Sequence, residues 1–519
     1  IVQDSNKFKD YNAIIIFWEI ANLIHGFQYK AQLYTENELK SLIIKIKSEI
    51  DFVISNLKNT GLVLFNKFSV LAFNYQNIRL NNLDEVCSEL NYYLSKNLPD
   101  NFILIDTDKI ISKLSIDKSI DFRYFYLSKM LYTIEFYKSY VSFIKPIILS
   151  ANGKSKKVLI FDCDNTIWKG ILGEDGSENL EMSESTKDGD IFAEIQHLLL
   201  TLNKQGTLLG ICSKNNETDI EEVIMTHPDI KIKNENISIK KINWNDKAEN
   251  LTAIAQNLNL GLDSIVFLDD SDFEVNYIRE NLPEVTVLQV PKEKYEYPGL
   301  LRKNSSLFFN LSQSDEELTR SELYKTEEVR NKEKKVFTNP EDYLKSLKLS
   351  LSIYINEKKL IPRIAQLTQK TNQFNLTTKR YTESNIKSFF EDNNYLVLVI
   401  NLTDKFGNYG ITGVNIIEIN VENKSAFIDT FLLSCRVIGR NIEYALMDNL
   451  IKLLSEKGIK SLKSVYIKTS KNEQVKKFYE SLEFKLIKET DSRKFYELNI
   501  DDYNFKNLDY IEVKYVNGC

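Results

Sequence analysis

The 519-residue chain holds only five cysteines and three histidines. Cys87, Cys163, Cys212, Cys435 and Cys519 lie far apart and form no C-x-x-C pair. That spacing excludes the usual zinc sites and fits a reducing, cytoplasmic setting. So few histidines argue against a His-based metal centre or a Ser-His-Asp triad, and His25, His197 and His227 read as structural or surface residues. Long apolar runs are missing too. "NAIIIFWEIANLI" is broken by Glu19 and Asn22, so it reads as a strand leading into a helix, not a membrane span. No basic block is present and the net charge is −6, which argues against a nucleic-acid partner. No signal peptide is visible, and a start at Ile1 fits a piece cut from a longer polypeptide.

What is present is ordinary for a globular protein, with 43% hydrophobic and 27% charged residues. The length implies two to four domains. Residues 1–152 alternate strands ("AIIIFW", "GLVLFNKF", "FILIDTDKI") with amphipathic helices ("TENELKSLIIKIKSEIDFVISNL", "FYLSKMLYTIEFYKSYVSFIKPII"), which predicts an α/β domain with no visible catalytic constellation. Residues 153–312 carry three apolar strands, "VLIFD", "TLLGICS" and "SIVFLDD", each ending in a residue capable of chemistry. Residues 313–336 are charged and predict a linking helix. Residues 337–519 combine strands with the helices "IPRIAQLTQ", "NIEYALMDNLIKLLSEKG" and "QVKKFYESL", an α+β pattern with a Gly-containing turn before a helix.

In open parallel sheets, ligands gather beyond the carboxyl ends of strands. Asp162 and Asp164 are two residues apart, so in extended chain they face the same way. One carboxylate can attack phosphorus while the other protonates the leaving oxygen. Anions facing a phosphate need a hard cation between them. Asp269 and Asp270 supply further oxygen ligands, and Mg2+ suits carboxylate plus phosphate. Ser213 can donate to a phosphoryl oxygen, Asn165 is a further phosphate-binding candidate, and Lys247 can neutralise growing negative charge.

These residues resemble, in order, the four motifs of the haloacid dehalogenase-like (HAD) superfamily, which implies a Rossmann-like parallel-sheet core. The stretches "DCDNTIWKGILGEDG", "ICSKNNE", "INWNDKAENL", "VFLDDSDFE" and "QLTQKTNQFNLTTKRYTE" look like its FkbH-like branch. So does the order of an N-terminal α/β domain, a HAD core and a domain similar to GNAT acyltransferases. The resemblance implies a Mg2+-dependent enzyme that takes a three-carbon acyl unit from a glycolytic phosphate, typically 1,3-bisphosphoglycerate. Phosphate is removed, and a glyceryl thioester is delivered to the phosphopantetheine arm of an acyl carrier protein. A lactyl unit is an open alternative, because pocket shape is not legible in sequence. Some members sit inside polyketide synthases, which suits a chain without its own Met. A plain phosphatase with a GNAT-like binding module and a CoA-dependent acetyltransferase are the rival readings.

A phosphatase has no need of Cys163, whereas thiolate attack on an acyl phosphate gives a thioester fit for exchange. Cys163 is therefore the expected acyl carrier, set against two alternatives: that it merely packs, and that Cys435 carries the acyl group instead. Cys212 reads as core. "CRVIGRNIE" resembles the GNAT pyrophosphate loop, with Arg436, Gly439 and Arg440. "SKNEQVKKFYESLEF" resembles that fold's late segment, with Asn472 and Tyr479 in the matching places. By this resemblance these five residues seat pantetheine. Asn372, Asn375, Thr377 and Arg380 either line the substrate path or pack a loop.

Overall fold

The computed structural model describes residues 8, 11, 13–58, 60–311, 330, 333, 337, 339–469 and 471–517. The expected linking helix at 313–336 lies outside them except for Arg330 and Glu333, as does Cys519. The described residues fall into two compact units, one drawn from 1–151 and 380–393, the other from 152–379 and 394–519. Residues 380–393, expected within the last segment, join the first unit instead; they hold the helix Glu383–Glu391, where Ser384 Oγ donates to Lys58 O at 2.6 Å. No helix among the described residues is long and apolar enough to cross a membrane.

In the first unit, β1 (Ala13–Ile16), β2 (Leu62–Asn66) and β3 (Phe102–Ile105) form a parallel sheet in that order. Every residue of β2 is buried, as expected for a central strand covered on both faces. The helix Glu36–Leu57 opens on a Thr35–Glu38 capping box and buries Leu39, Ile43, Ile46, Ile50, Val53 and Leu57, a stripe three to four residues apart. The single helix expected over 125–148 is broken. Its first part, Phe122–Ser128, ends where Lys129 turns left-handed (φ 63°), and Thr133 Oγ1 accepts Phe136 N as the chain restarts in Ile134–Ala151.

Glu19, beyond the end of β1, is buried, and Tyr132 Oη donates to its Oε1. Burial pushes its carboxyl up to about 7, and the charge of Asp108 adds to the rise. The folded state therefore holds this proton more tightly than the unfolded chain does. Stability from the neutral form is complete below about pH 4.5 and is lost as pH rises towards 7. The loss is on the order of 3 kcal/mol. Glu19→Gln keeps the acceptor for Tyr132 without the charge. Urea unfolding should show the variant close to wild type at pH 4.5 and more stable at pH 8. An equal gap at both values would refute the assignment.

The second unit contains two sheets. The first has the order β6-β5-β4-β7-β8 and is parallel throughout. Its strands are β4 (Val158–Phe161), β5 (Leu208–Ser213), β6 (Ile237–Ile242), β7 (Ile265–Asp269) and β8 (Thr286–Gln289). The chain runs outward through β5 and β6, then returns to lay β7 against the other side of β4. The strand order thus reverses at β4 and β7, where an open α/β sheet leaves a crevice. Apolar residues cover both faces: Leu159, Phe161 and Ile211 on one, Val158, Ile160 and Phe267 on the other.

The second sheet holds β9 (Leu349–Ile355), β11 (Tyr395–Asp404), β12 (Gly407–Asn420), β13 (Ser425–Leu433), β14 (Ser461–Ile467), β15 (Lys485–Glu489), β16 (Arg493–Asn499) and β17 (Ile511–Asn517), in the order β15-β16-β14-β13-β12-β11-β9-β17. This is the expected α+β region. Parallel β13 and β14 pair only at Ser425–Phe427 and Ser461–Lys463, then diverge. The chain fills the gap itself. The short strand β10 (Phe374–Asn375) pairs with Leu433 and Leu432, while Leu376 N donates to Phe431 O (3.1 Å) and accepts from Ile467 N through its carbonyl (2.8 Å). The backbone groups that divergence would leave orphaned are thereby satisfied.

The two sheets belong to one compact unit, so no unit boundary falls at the expected division near 312. Asn259 Nδ2 donates to Cys435 O at 2.6 Å, and Lys471 pairs with Asp263.

Candidate active site

Three strand ends and one helix start converge. β4 delivers Asp162, β5 ends in Ser213, and β7 ends in Asp269 followed by Asp270. Asp246 caps the helix Lys247–Asn257, accepting from Ala248 N and Glu249 N, which sets Lys247 at its first position. The Lys247 ammonium is buried and donates to Asp162 Oδ1 (2.9 Å) and Asp269 Oδ2 (2.6 Å). Ligand oxygens of Asp162, Asp269 and Asp270 lie within 4.8 Å of one another.

The charges explain the titration. Burial pushes Asp162 up to about 6; Lys247 opposes the rise and Asp269 adds to it. Asp269 and Asp270 are raised, again chiefly by burial. Burial would pull Lys247 down, but Asp162 and Asp269 reverse this and hold it above its ordinary value. One ammonium against three carboxylates leaves two negative charges, which a divalent cation would balance. An all-oxygen donor set of this kind suits Mg2+.

Asp164 lies outside this group. Its Oδ1 accepts from Trp168 Nε1 (3.0 Å) and Leu172 N (3.1 Å), and its Oδ2 from Asn215 Nδ2 (2.9 Å). Its side chain is not with the three clustered carboxylates, a correction to the four-carboxylate metal set; the turn after β4 carries it aside. That turn also occupies Asn165, expected on phosphate. Asn165 sits at φ 51°, and its Oδ1 accepts Gly170 N at 3.1 Å, closing the loop 165–170. Asn215 was missed in the sequence. Its amide also donates to Ser213 Oγ (3.1 Å), tying two expected residues together, and its place two residues beyond Ser213 was the available signal.

Cys163 corrects the expectation of an acyl-carrying thiol. Strand alternation persists past the end of β4, so Cys163 follows Leu159 and Phe161 into the apolar cluster while Asp162 follows Val158 and Ile160. It is 0% exposed. Burial, with the charges of Asp162 and Asp164, holds the thiol well above its ordinary value, so neither access nor thiolate is available. Cys212 is likewise buried.

Three of the five residues expected to seat pantetheine, Arg440, Asn472 and Tyr479, have buried side chains. Arg440 is buried, its Nε donating to Tyr409 Oη at 3.0 Å, within a network in which Arg330 grips Asp404 (2.8 and 2.9 Å) and Tyr409 Oη donates to that same carboxylate. Asn472 is 0% exposed and holds Thr469 N, Ile467 O and Asn375 O together. Tyr479 packs inside against Phe478, Phe484 and Tyr496. These three side chains serve the interior. Gly439 takes the left-handed φ of 80° at an open turn, and Arg436, half-buried, lines a cavity. Asn372 lines that cavity as well. Asn375 and Thr377 are buried, and Arg380 falls in the first unit, pulled down to about 10 by burial.

No family model matches the sequence, and no curated protein matches it. Among solved structures, the chain is similar to the N-terminal part of the protein BF1531 from Bacteroides fragilis, which contains a phosphatase domain and was complexed with Mg. The identity is 29% over 58% of this chain and 80% of that one, with a TM-score of 0.49. It is also similar to the ribosomal-protein-S18-alanine N-acetyltransferase from Escherichia coli, at 19% identity over 29% of this chain and 94% of that one (TM-score 0.24). A spermidine N-acetyltransferase from Vibrio cholerae in complex with CoA and spermine shares 14% identity over 29% of this chain and 96% of that one (TM-score 0.24).

Proposed function

We propose that the chain is a Mg2+-dependent phosphatase that also serves acyl transfer, loading a small 2-hydroxyacyl unit from a phosphorylated three-carbon metabolite onto the phosphopantetheine arm of an acyl carrier protein. The observation that carries the phosphatase half is the buried Lys247 ammonium shared between Asp162 and Asp269 at the sheet's crevice. Asp162 attacks phosphorus, the P–O bond to the substrate breaks, and Asp164, linked through Asn215 to Ser213, gives the departing oxygen its proton. Water then opens the aspartyl phosphate, with Asp164 taking the proton back. Ser213 and Lys247 answer the charge on the phosphoryl oxygens. Mg2+, held by Asp162, Asp269 and Asp270, would supply the charge that lets a phosphate approach these carboxylates.

The acyl half is supported by the FkbH-like stretches of the sequence, which also suggest glyceryl, or its relative lactyl, as the unit and polyketide assembly as the setting. In a donor such as 1,3-bisphosphoglycerate, the arm's thiol would take the acyl carbon and expel the acyl phosphate, while Asp162 would remove the ester phosphate. The interior placement of Cys163, Arg440, Asn472 and Tyr479 favours a second reading, a plain phosphatase.

One experiment separates the two: mix the protein, Mg2+, three-carbon acyl phosphates and holo carrier protein, then weigh every species. A thioester on the carrier that depends on this chain is the expected result. Phosphate release with the carrier unmodified would leave only the phosphatase.

A further inference from the structure

We propose that the helix Ile134–Ala151 of the first unit is a docking surface for the carrier protein, which seats on it through an amphipathic helix bearing carboxylates. The choice of occupant rests on the acyl-transfer reading above. This helix carries more apolar side chains than its own core uses. Phe136, Tyr140, Ile144 and Ile147 are buried, at the three- to four-residue spacing of one helical face. Ile134, Tyr137 and Val141 repeat that spacing, yet they are 75%, 39% and 59% exposed. At 3.6 residues per turn this second stripe borders the first. Single apolar residues on a surface need no explanation, but an apolar stripe along one helix marks a place where another molecule sits.

Charge defines the partner. Lys138 and Lys145 flank the stripe on its open side, where the same helical geometry places them. Both are exposed, and neither pairs with a carboxylate among the described residues. Glu135 is the one carboxylate of this helix, and it reaches neither lysine. A chain of net charge −6 thus borders its apolar stripe with uncompensated positive charge. The lysines are two helical turns apart, roughly 10.5 Å along the axis. A partner helix with carboxylates at the same two-turn spacing meets both while its apolar side chains cover Ile134, Tyr137 and Val141.

Two other occupants fit less well. A second copy of this chain, packed on the first about a two-fold axis, would bring both pairs of lysines to one interface, where like charges repel. A lipid surface takes the whole apolar face of an interfacial helix. Here the wider face, from Phe136 to Ile147, is already packed inside, and only its edge is open. An edge of that width suits one helix laid against another.

The test uses the full chain and a dye-labelled holo carrier protein whose helices bear surface carboxylates. Fluorescence anisotropy should show saturable binding that weakens as salt rises. Val141→Asp, and separately the double change Lys138→Glu with Lys145→Glu, should each weaken binding about tenfold or more. The double change should also remove most of the salt dependence. Both variants should melt as wild type does and release phosphate from a small phosphate ester at the wild-type rate, because these side chains are exposed. Undiminished carrier binding in both variants would overturn the proposal, and so would no binding by wild type. Self-association in sedimentation velocity that Val141→Asp abolishes would seat a second copy on the stripe and overturn it too. Cosedimentation with phosphatidylserine vesicles that Val141→Asp abolishes would do the same by seating a lipid. Docking and transfer fail separately. Equal thioester formation by wild type and Val141→Asp at limiting carrier would remove the docking surface and keep the transferase. Carrier binding that needs Val141, without any thioester, would keep the surface and remove the transfer.

Discussion

Asp162→Asn is expected to cut Mg2+-dependent phosphate release from a three-carbon phosphate ester by a factor on the order of 10^4, while the protein folds normally. An amide matches the carboxylate in shape but cannot form the aspartyl phosphate, and loss of a nucleophile costs more than loss of a positioning group. Folding should not suffer, because burial already makes the ionised form of Asp162 unfavourable: its carboxyl is pushed up to about 6. A neutral side chain removes that penalty and leaves Lys247 paired with Asp269. Stopped assays of released phosphate, with thermal melts of the same samples, provide the check. A variant retaining a tenth of wild-type turnover would show that another group attacks phosphorus. One that lost activity by melting would say nothing of chemistry, which is why both measurements are taken together.

The sequence made this site legible because each candidate sits where a buried run stops. Val158–Phe161, Leu208–Cys212 and Ile265–Leu268 are apolar throughout, so the residue that ends each run is marked by contrast. Lys247 lacked that contrast. Its place was legible from family resemblance, and its reach across to Asp162 depends on where Asp246 starts the helix. What could not be read was direction beyond the strand. Asp164 and Asn165 share the turn after β4, and hydrogen bonds with Trp168, Leu172 and Gly170, not strand alternation, fix where their side chains go. Cys163 misled for the opposite reason, since its chemistry suggested a nucleophile while simple alternation continued past the strand end and turned it inward. In the second sheet, Arg440 and Asn472 matched a motif by position, yet their partners Tyr409 and Asn375 come from distant segments. Pattern within a short window carries no information about such partners. The insertion of Phe374–Leu376 between β13 and β14 is of the same kind, because a two-residue strand leaves no periodic signal.

Lys247→Met should be the most destabilising single change in this part of the molecule, lowering stability by roughly 3–5 kcal/mol at pH 8 without added metal. Lys247 is 4% exposed, and its two partners, Asp162 and Asp269, are 6% and 0% exposed. Methionine fills similar volume, so packing is nearly conserved. What disappears is the ammonium paired with Asp162 and Asp269, two of three carboxylates within 4.8 Å of one another. Their mutual repulsion then acts in a medium where water screens poorly. A divalent cation bound by the same oxygens opposes that repulsion, so Mg2+ should stabilise the variant more than it stabilises wild type. The comparison is direct: urea unfolding of both proteins in EDTA and in millimolar Mg2+. If the variant lost less than about 1 kcal/mol in EDTA, or if Mg2+ helped both proteins equally, the three carboxylates would not be held together by this lysine. The site would then owe its assembly to the strand ends alone, and Lys247 would matter only to the phosphoryl group.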